Sequence, residues 1–259
     1  MITESPSLRI VSNNGLKIIA AIIMVIDHAG VLLFPEVLAF RVIGRIGFPI
    51  FAFLIAEGAK HTRNKLRHVL VMAGFAAAIQ IVYFVAMGSL EMSVLVTFTL
   101  SLLIIYALDH LKNKLFAEKK EAKSIIWAAF LFLGAFLLAV AADHFLDIDY
   151  GLSGCLIPIF PALFTTPKVE NPPKVFKTVD TKTFRALATG FGMLALALNA
   201  MLHDTFTGLV QLVALLSVPI LLLYSEKRGR VNMKYFFYIF YPLHLVILYG
   251  IAILIQYFK

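Results

Sequence analysis

Two ionisable side chains in succession, Asp27 and His28, lie within an apolar run from Leu16 to Phe34, and Arg41 and Arg45 lie in the next run, from Leu38 to Glu57. A charge near the middle of a bilayer costs about 2.5–3.5 kcal/mol on insertion scales, so such groups must face one another or a water-filled cavity. Arg41 and Arg45 are four residues apart, which puts them on one helical face, at a depth comparable with Asp27 across a short turn. An ion pair between Asp27 and an arginine follows. Such a pair could simply lock two helices together, but His28 beside it points to a polar site, because an imidazole near an intramembrane carboxylate is a candidate general base. Adjacent helical residues point about 100° apart, so Asp27 does not orient the His28 ring and another group must. His244 follows Tyr241 and Pro242 in the last apolar run. It is the second candidate for proton transfer, its alternative being a packing histidine hydrogen-bonded to carbonyls that Pro242 frees.

Other polar residues carry weaker signals. Glu57 ends the second run and is followed by Gly58, Lys60, His61, Thr62, Arg63, Lys65 and Arg67; a carboxylate at a helix end is ordinarily solvated, and the basic cluster could bind phosphate or only mark topology. Asp143 with His144, and His203 with Asp204, match no zinc spacing and read as solvated connections, so no metal is expected. No phosphate-cradling glycine loop and no nucleophile elbow is present. The single cysteine, Cys155, excludes an internal disulfide and a thiolate metal cage and reads as core packing.

The elements that must position these residues are set by composition. Of 259 residues 61% are hydrophobic and 15% charged, and the mean hydropathy is +0.90, far beyond what a water-soluble core absorbs. Apolar stretches suited to crossing a bilayer run from Leu16 to Phe34, Leu38 to Glu57, Leu66 to Met87, Met92 to Leu108 and Ser124 to Ala142. Four more run from Gly151 to Phe164, Phe184 to Leu202, Phe206 to Tyr224 and Phe236 to Tyr257. The first is not a cleavable signal, since it holds Asp27 and His28 and ends in Phe34-Pro35-Glu36.

The net charge of +8 is a topology signal rather than a nucleic-acid footprint. All the lysines and arginines except Arg41, Arg45 and Lys259 fall in the N-terminal arm or in the even-numbered connections, and the odd-numbered ones carry acids: Glu36, Glu91, Asp143, Asp147, Asp149 and Asp204. The expectation is an all-α polytopic bundle of about nine spans in a single domain over residues 1–259, N-terminus cytoplasmic and C-terminus extracytoplasmic. A polar cytoplasmic linker of about residues 165–183 contains Pro167, Pro172 and Pro173. The sixth span is the weakest, being short and carrying Pro158 and Pro161.

Three segments resemble the TraX family of integral membrane proteins, named for the enzyme that N-acetylates conjugative pilin. They are LKIIAAIIMVIDH (Leu16 to His28), GRIGFPIFAFLIAEGAKHTRN (Gly44 to Asn64) and FFYIFYPLHL (Phe236 to Leu245); Asp149 to Gly151 and Arg228-Gly229 also fit. The FPIFAF core (Phe48 to Phe53) is similar to the wider transmembrane acyltransferases, including heparan-glucosaminide N-acetyltransferase and the acyltransferase-3 group. The resemblance implies a multi-pass enzyme of the bacterial inner membrane that moves acetyl from cytoplasmic acetyl-CoA to an amine or hydroxyl. The acceptor would be reached from outside: a protein N-terminus such as that of pilin, or a glycan. In that role His28 would be the base, Arg41 or Arg45 would stabilise the tetrahedral intermediate, Asp27 would hold an arginine, and Glu57, Lys60, Arg63, Lys65 and Arg67 would line the CoA site. Membrane lipid is the remaining partner and nucleic acid is not one. The rival is a transporter or proton pathway through Asp27, the arginines and His244, which paired broken helices in internal repeats would favour; no repeat is evident. A purely structural subunit fits poorly with buried ionisable groups.

Overall fold

The computed structural model describes residues 10–88, 91–231, 233 and 236–258; Arg9, Lys234 and Lys259 of the charge pattern lie outside them. The described chain is helical, as expected, and eight of its helical stretches are long and apolar enough to cross a membrane. The chain divides into two compact units, one formed by Met1–Leu54 and Met193–Lys259, the other by Ile55–Gly192.

The first unit is built on α1 (Asn13–Leu32), α2 (Leu38–Gly44) and the start of α3 (Gly47–His61). Tight packing of α2 on α1 depends on glycine. A Cβ on Gly44 would overlap the Asp27 carboxylate, and one on Gly30 would overlap Phe40 Cβ. The first amides of α1 would otherwise lack acceptors. Instead Asn13 N donates to Lys227 O at 2.8 Å and Asn14 N to Arg228 O at 3.2 Å, and Ser12 Oγ accepts from Gly15 N at 3.1 Å. Gly229, at φ +94°, lies so close to Asn14 that a side chain there would collide. The last helix of the unit, spanning Phe236–Tyr257, runs parallel to α1. Lys17 Nζ reaches Met233 O at 3.4 Å, and an equal number of residues further along each chain His28 meets His244 at 3.0 Å.

The second unit centres on α5 (Val94–Leu115), which packs against α4 (Lys65–Met87) and α6 (Ala122–Phe145). Most of α6 is apolar on every side, with Trp127, Phe130 and Leu131 all exposed, as suits a helix in contact with lipid. The expected sixth span differs from the other eight. It is a 13-residue apolar stretch, Gly151–Leu163, split into α7 (Gly151–Leu156) and α8 (Ile159–Leu163) at Pro158, which has no amide to donate.

Short as it is, this segment accompanies α5 for most of its length. Thr97 Oγ1 donates to Asp149 O at 2.7 Å, Ser101 Oγ to Cys155 O at 2.8 Å and Lys112 Nζ to Ala162 O at 3.0 Å. Residues 97 to 112 of a helix rise about 22 Å, so the broken segment carries the chain back past the same depth. Among the described residues, counting this segment beside the eight long apolar helices gives an odd number, which agrees with α1 and α13 running parallel.

Even-numbered connections meet one another at one end of the second unit. Lys168 N donates to Asn113 Oδ1 at 2.7 Å and Lys168 Nζ to Lys60 O at 3.0 Å. At its other end Met92 pairs with Asp147 and Asp149. The expected linker is partly ordered: α9 (Lys174–Val179) precedes α10 (Lys182–His203). After it come α11 (Thr205–Leu212), a 3-10 turn, α12 (Ser217–Leu222) and the last helix, α13.

Candidate active site

Asp27 and His28 leave α1 in different directions and find different partners. Asp27 Oδ1 accepts from Arg41 Nη1 at 2.7 Å, with the two side chains 19% and 33% exposed, so the expected ion pair is present and part-wetted. Arg45, one turn beyond Arg41, acts through space on the same carboxylate. Gly44 sits between the two arginines, and its missing side chain is what lets the carboxylate lie against α2.

His28 turns to α13. Its Nδ1 lies 3.0 Å from Met24 O and 3.0 Å from His244 Nε2, while His244 Nδ1 lies 2.9 Å from Phe240 O. A carbonyl oxygen only accepts, so these contacts favour the tautomers with Nδ1 protonated, His28 Nδ1–H then being shared between Met24 O and His244 Nε2. His244 Nε2 is then bare and accepts from His28 Nδ1–H. The remaining nitrogen, His28 Nε2, holds the unshared lone pair. The group that orients His28 is therefore His244, which the sequence offers as a second base or as a packing histidine. Tyr241 stands edge-on to both rings, at 6.5 Å from His28 and 5.6 Å from His244, and holds the pair from the side. His244 itself is 5% exposed.

The residues expected around a CoA site separate in the second unit. Glu57 and Arg185 are 2% and 1% exposed, and Arg185 Nε donates to Glu57 Oε1 at 2.6 Å. Arg185 Nη1 also donates to Asp180, which accepts from Lys60 Nζ at 2.8 Å and from Thr166 N at 2.9 Å. Burial pushes the Asp180 carboxyl up, but the hydrogen bonds from Lys60 and Thr166 outweigh it and hold the group below its ordinary range. Glu57 and Lys60 thus belong to a buried network that ties α3, the linker and α10 together. Arg63 and Arg67 are exposed and remain accessible to a phosphate. Lys65 lies 3.6 Å from Asp109 and over the Tyr106 ring, whose hydroxyl meets His68 Nδ1 at 2.6 Å.

Arg185 and Lys112 are polar centres that the sequence places only in the charge pattern, and Asp180 is one that it does not single out at all. The available signal for Arg185 was a cation on a face of small residues, Ala188, Thr189 and Gly192, in an apolar helix. Of the acids in the odd-numbered connections, Asp204 caps α11 by accepting from Thr207 N at 2.9 Å, and Asp143 Oδ1 accepts from Leu152 N at 2.9 Å.

A family model described as TraX protein matches residues 12–252. A probable fimbrial assembly protein, FimC of serogroup H1, from Dichelobacter nodosus is 26% identical over 253 residues, which is 93% of this chain and 96% of that protein. An uncharacterised protein of Rickettsia prowazekii (strain Madrid E) is 53% identical over 38 residues, 15% of each chain. No solved structure matches the chain.

Proposed function

The chain belongs to the TraX family, and from that premise we propose that it is a membrane-embedded acetyltransferase whose base is His28 and whose donor is acetyl-CoA. The observation that carries the reading is the approach of His28 Nδ1 to His244 Nε2 at 3.0 Å, because with its proton held at Nδ1 the neutral His28 ring keeps Nε2 as the acceptor. In the reaction, His28 Nε2 takes the proton of an acceptor amine or hydroxyl as its nitrogen or oxygen attacks the thioester carbonyl. The carbon–sulfur bond breaks, and the CoA thiolate leaves and recovers the proton. Arg41 and Arg45 supply positive charge to the tetrahedral oxyanion, and Asp27 fixes Arg41. The exposed Arg63 and Arg67 take the CoA phosphates.

Two further points support this reading: the likeness of Phe48 to Phe53 to transmembrane acyltransferases, and the relative whose name is that of a fimbrial assembly protein. The acceptor is then an envelope component met from the outer face of the inner membrane, a fimbrial subunit or a glycan. The test is acetyl transfer by protein reconstituted in membranes, with thermal unfolding in parallel. His28→Ala should lose about 10²–10⁴-fold in rate, the usual contribution of a general base, with the unfolding temperature little changed. Wild-type transfer rates in His28→Ala would rule out this base.

A further inference from the structure

Between α1 and α13 runs a groove of about 280 Å³, bounded by Ile18, Ile22, Val25 and Ile26 on one side and Phe236 and Phe240 on the other, with no polar surface in its lining. The groove stops about one helical turn short of the histidine pair. On α1, Val25 lies one turn before His28, on the side that faces α13. On α13, Phe236, Phe240 and His244 form one stack: the two phenylalanine rings are 5.3 Å apart at 15°, and Phe240 and His244 are 5.0 Å apart at 10°. One wall of the groove is therefore continuous with the ring that orients the base.

A lining without a single polar atom offers nothing to a soluble ligand, and its place between two spanning helices opens it to the hydrocarbon of the bilayer. Residues 18 to 26 of α1 rise about 12 Å, a length suited to a hydrocarbon chain lying along them. Where the groove ends, the surroundings become charged: Asp27 and Arg41 are paired at 2.7 Å, and Arg45 is near. Apolar groove and base thus follow one another along α1 and α13, while the Asp27–Arg41 pair leaves α1 in a different direction at the same depth.

We propose that the acceptor is lipid-linked: its hydrocarbon tail lies in the groove between α1 and α13, and its amine or hydroxyl is presented to His28 Nε2. This rests on the acyltransferase reading for the role of His28 but not for the seating of the tail. The tail is tested alone by reconstituting the full chain with a phospholipid carrying a photoactivatable diazirine in its acyl chain and mapping the labelled residues. Ile18–Ile26 and Phe236–Phe240 are expected to label more strongly than Trp127 and Phe130 of α6, which report ordinary boundary lipid. Ile22→Trp, a change at a residue 56% exposed, should fill the groove and cut its labelling about tenfold, the loss expected when roughly two methylene groups lose their burial. Groove labelling no stronger than that of α6, or unchanged in Ile22→Trp, overturns the proposal. So does displacement of the label by a single-span apolar peptide but not by unlabelled phospholipid, which would seat a partner helix there.

A second readout ties the tail to the chemistry. Ile22→Trp should lower acetyl transfer to phosphatidylethanolamine relative to free ethanolamine by a similar factor. Equal loss for both amines overturns the lipid-linked acceptor. Absence of transfer and hydrolysis alike in the wild type, with groove labelling intact, would count against the acyltransferase reading and not against the tail site.

Discussion

The His28 and His244 rings meet with Nδ1 and Nε2 3.0 Å apart although 216 residues separate them in the chain. Each ring is tied to the carbonyl one turn back in its own helix, by His28 to Met24 and by His244 to Phe240. The proton arrangement of the pair is thus set by backbone geometry rather than by a carboxylate. Asp27, next to His28 in sequence, serves the arginines instead.

Topology gives the first prediction. With odd parity of passes and the basic residues on one side, a reporter fused after Lys259 should read as extracytoplasmic and one inserted between Lys168 and Lys174 as cytoplasmic. The same compartment for both would mean that Gly151–Leu163 or another segment does not cross.

Donor binding should depend on charge at Arg63 and Arg67, because both are exposed and CoA is polyanionic. Replacing both with Gln should weaken CoA binding and flatten its dependence on salt between about 0.05 and about 0.5 M. Calorimetry or filter binding reads this directly; unchanged affinity and unchanged salt dependence would leave the pair as topology markers only.

The Glu57–Arg185 pair is buried on both sides, and breaking such a pair leaves an uncompensated charge. Arg185→Met should cost about 3–5 kcal/mol of stability, whereas Glu57→Leu with Arg185→Met should recover much of it. Unfolding in detergent measures both. If the double variant is no more stable than Arg185→Met, the ion pair is not what the two side chains contribute.

Acid sensitivity should trace in part to Asp180. Its carboxyl ionises more readily folded than unfolded, so the unfolded chain holds more protons at low pH. The stabilisation is complete above the ordinary value of 3.8 and is lost as pH falls through the lower folded value. Asp180→Asn should therefore be less stable than wild type at neutral pH, and the difference should shrink below about pH 4. A difference independent of pH across that range would assign the effect to packing.

Much of this was legible in the chain. Asp27 and Arg41 are separated by 14 positions and one short turn, so the cost of burying both charges predicts their pairing without coordinates. Apolar runs predict the long helices for the same reason. Gly151–Leu163 also follows from hydropathy, and Pro158 marks the place where it breaks into two short helices. The partnership of His28 with His244, and of Glu57 with Arg185 across 128 positions, leaves no periodic trace: each residue is ordinary in its own helix, and only packing selects the mate. Lys60 misled for the opposite reason, since a basic residue in a basic cluster gives no sign of being committed to Asp180.

The long separation between His28 and His244 has a consequence for biogenesis. Helices enter the membrane in the order of synthesis, so Asp27 is satisfied almost at once by Arg41, made moments later on α2. His28 must wait until α13, the last helix, has been inserted and has docked alongside α1. A chain arrested before Phe236 could hold the Asp27–Arg41 pair and most of its helices yet lack the His28–His244 pair, so the proposed base would be oriented only when translation and insertion are finished.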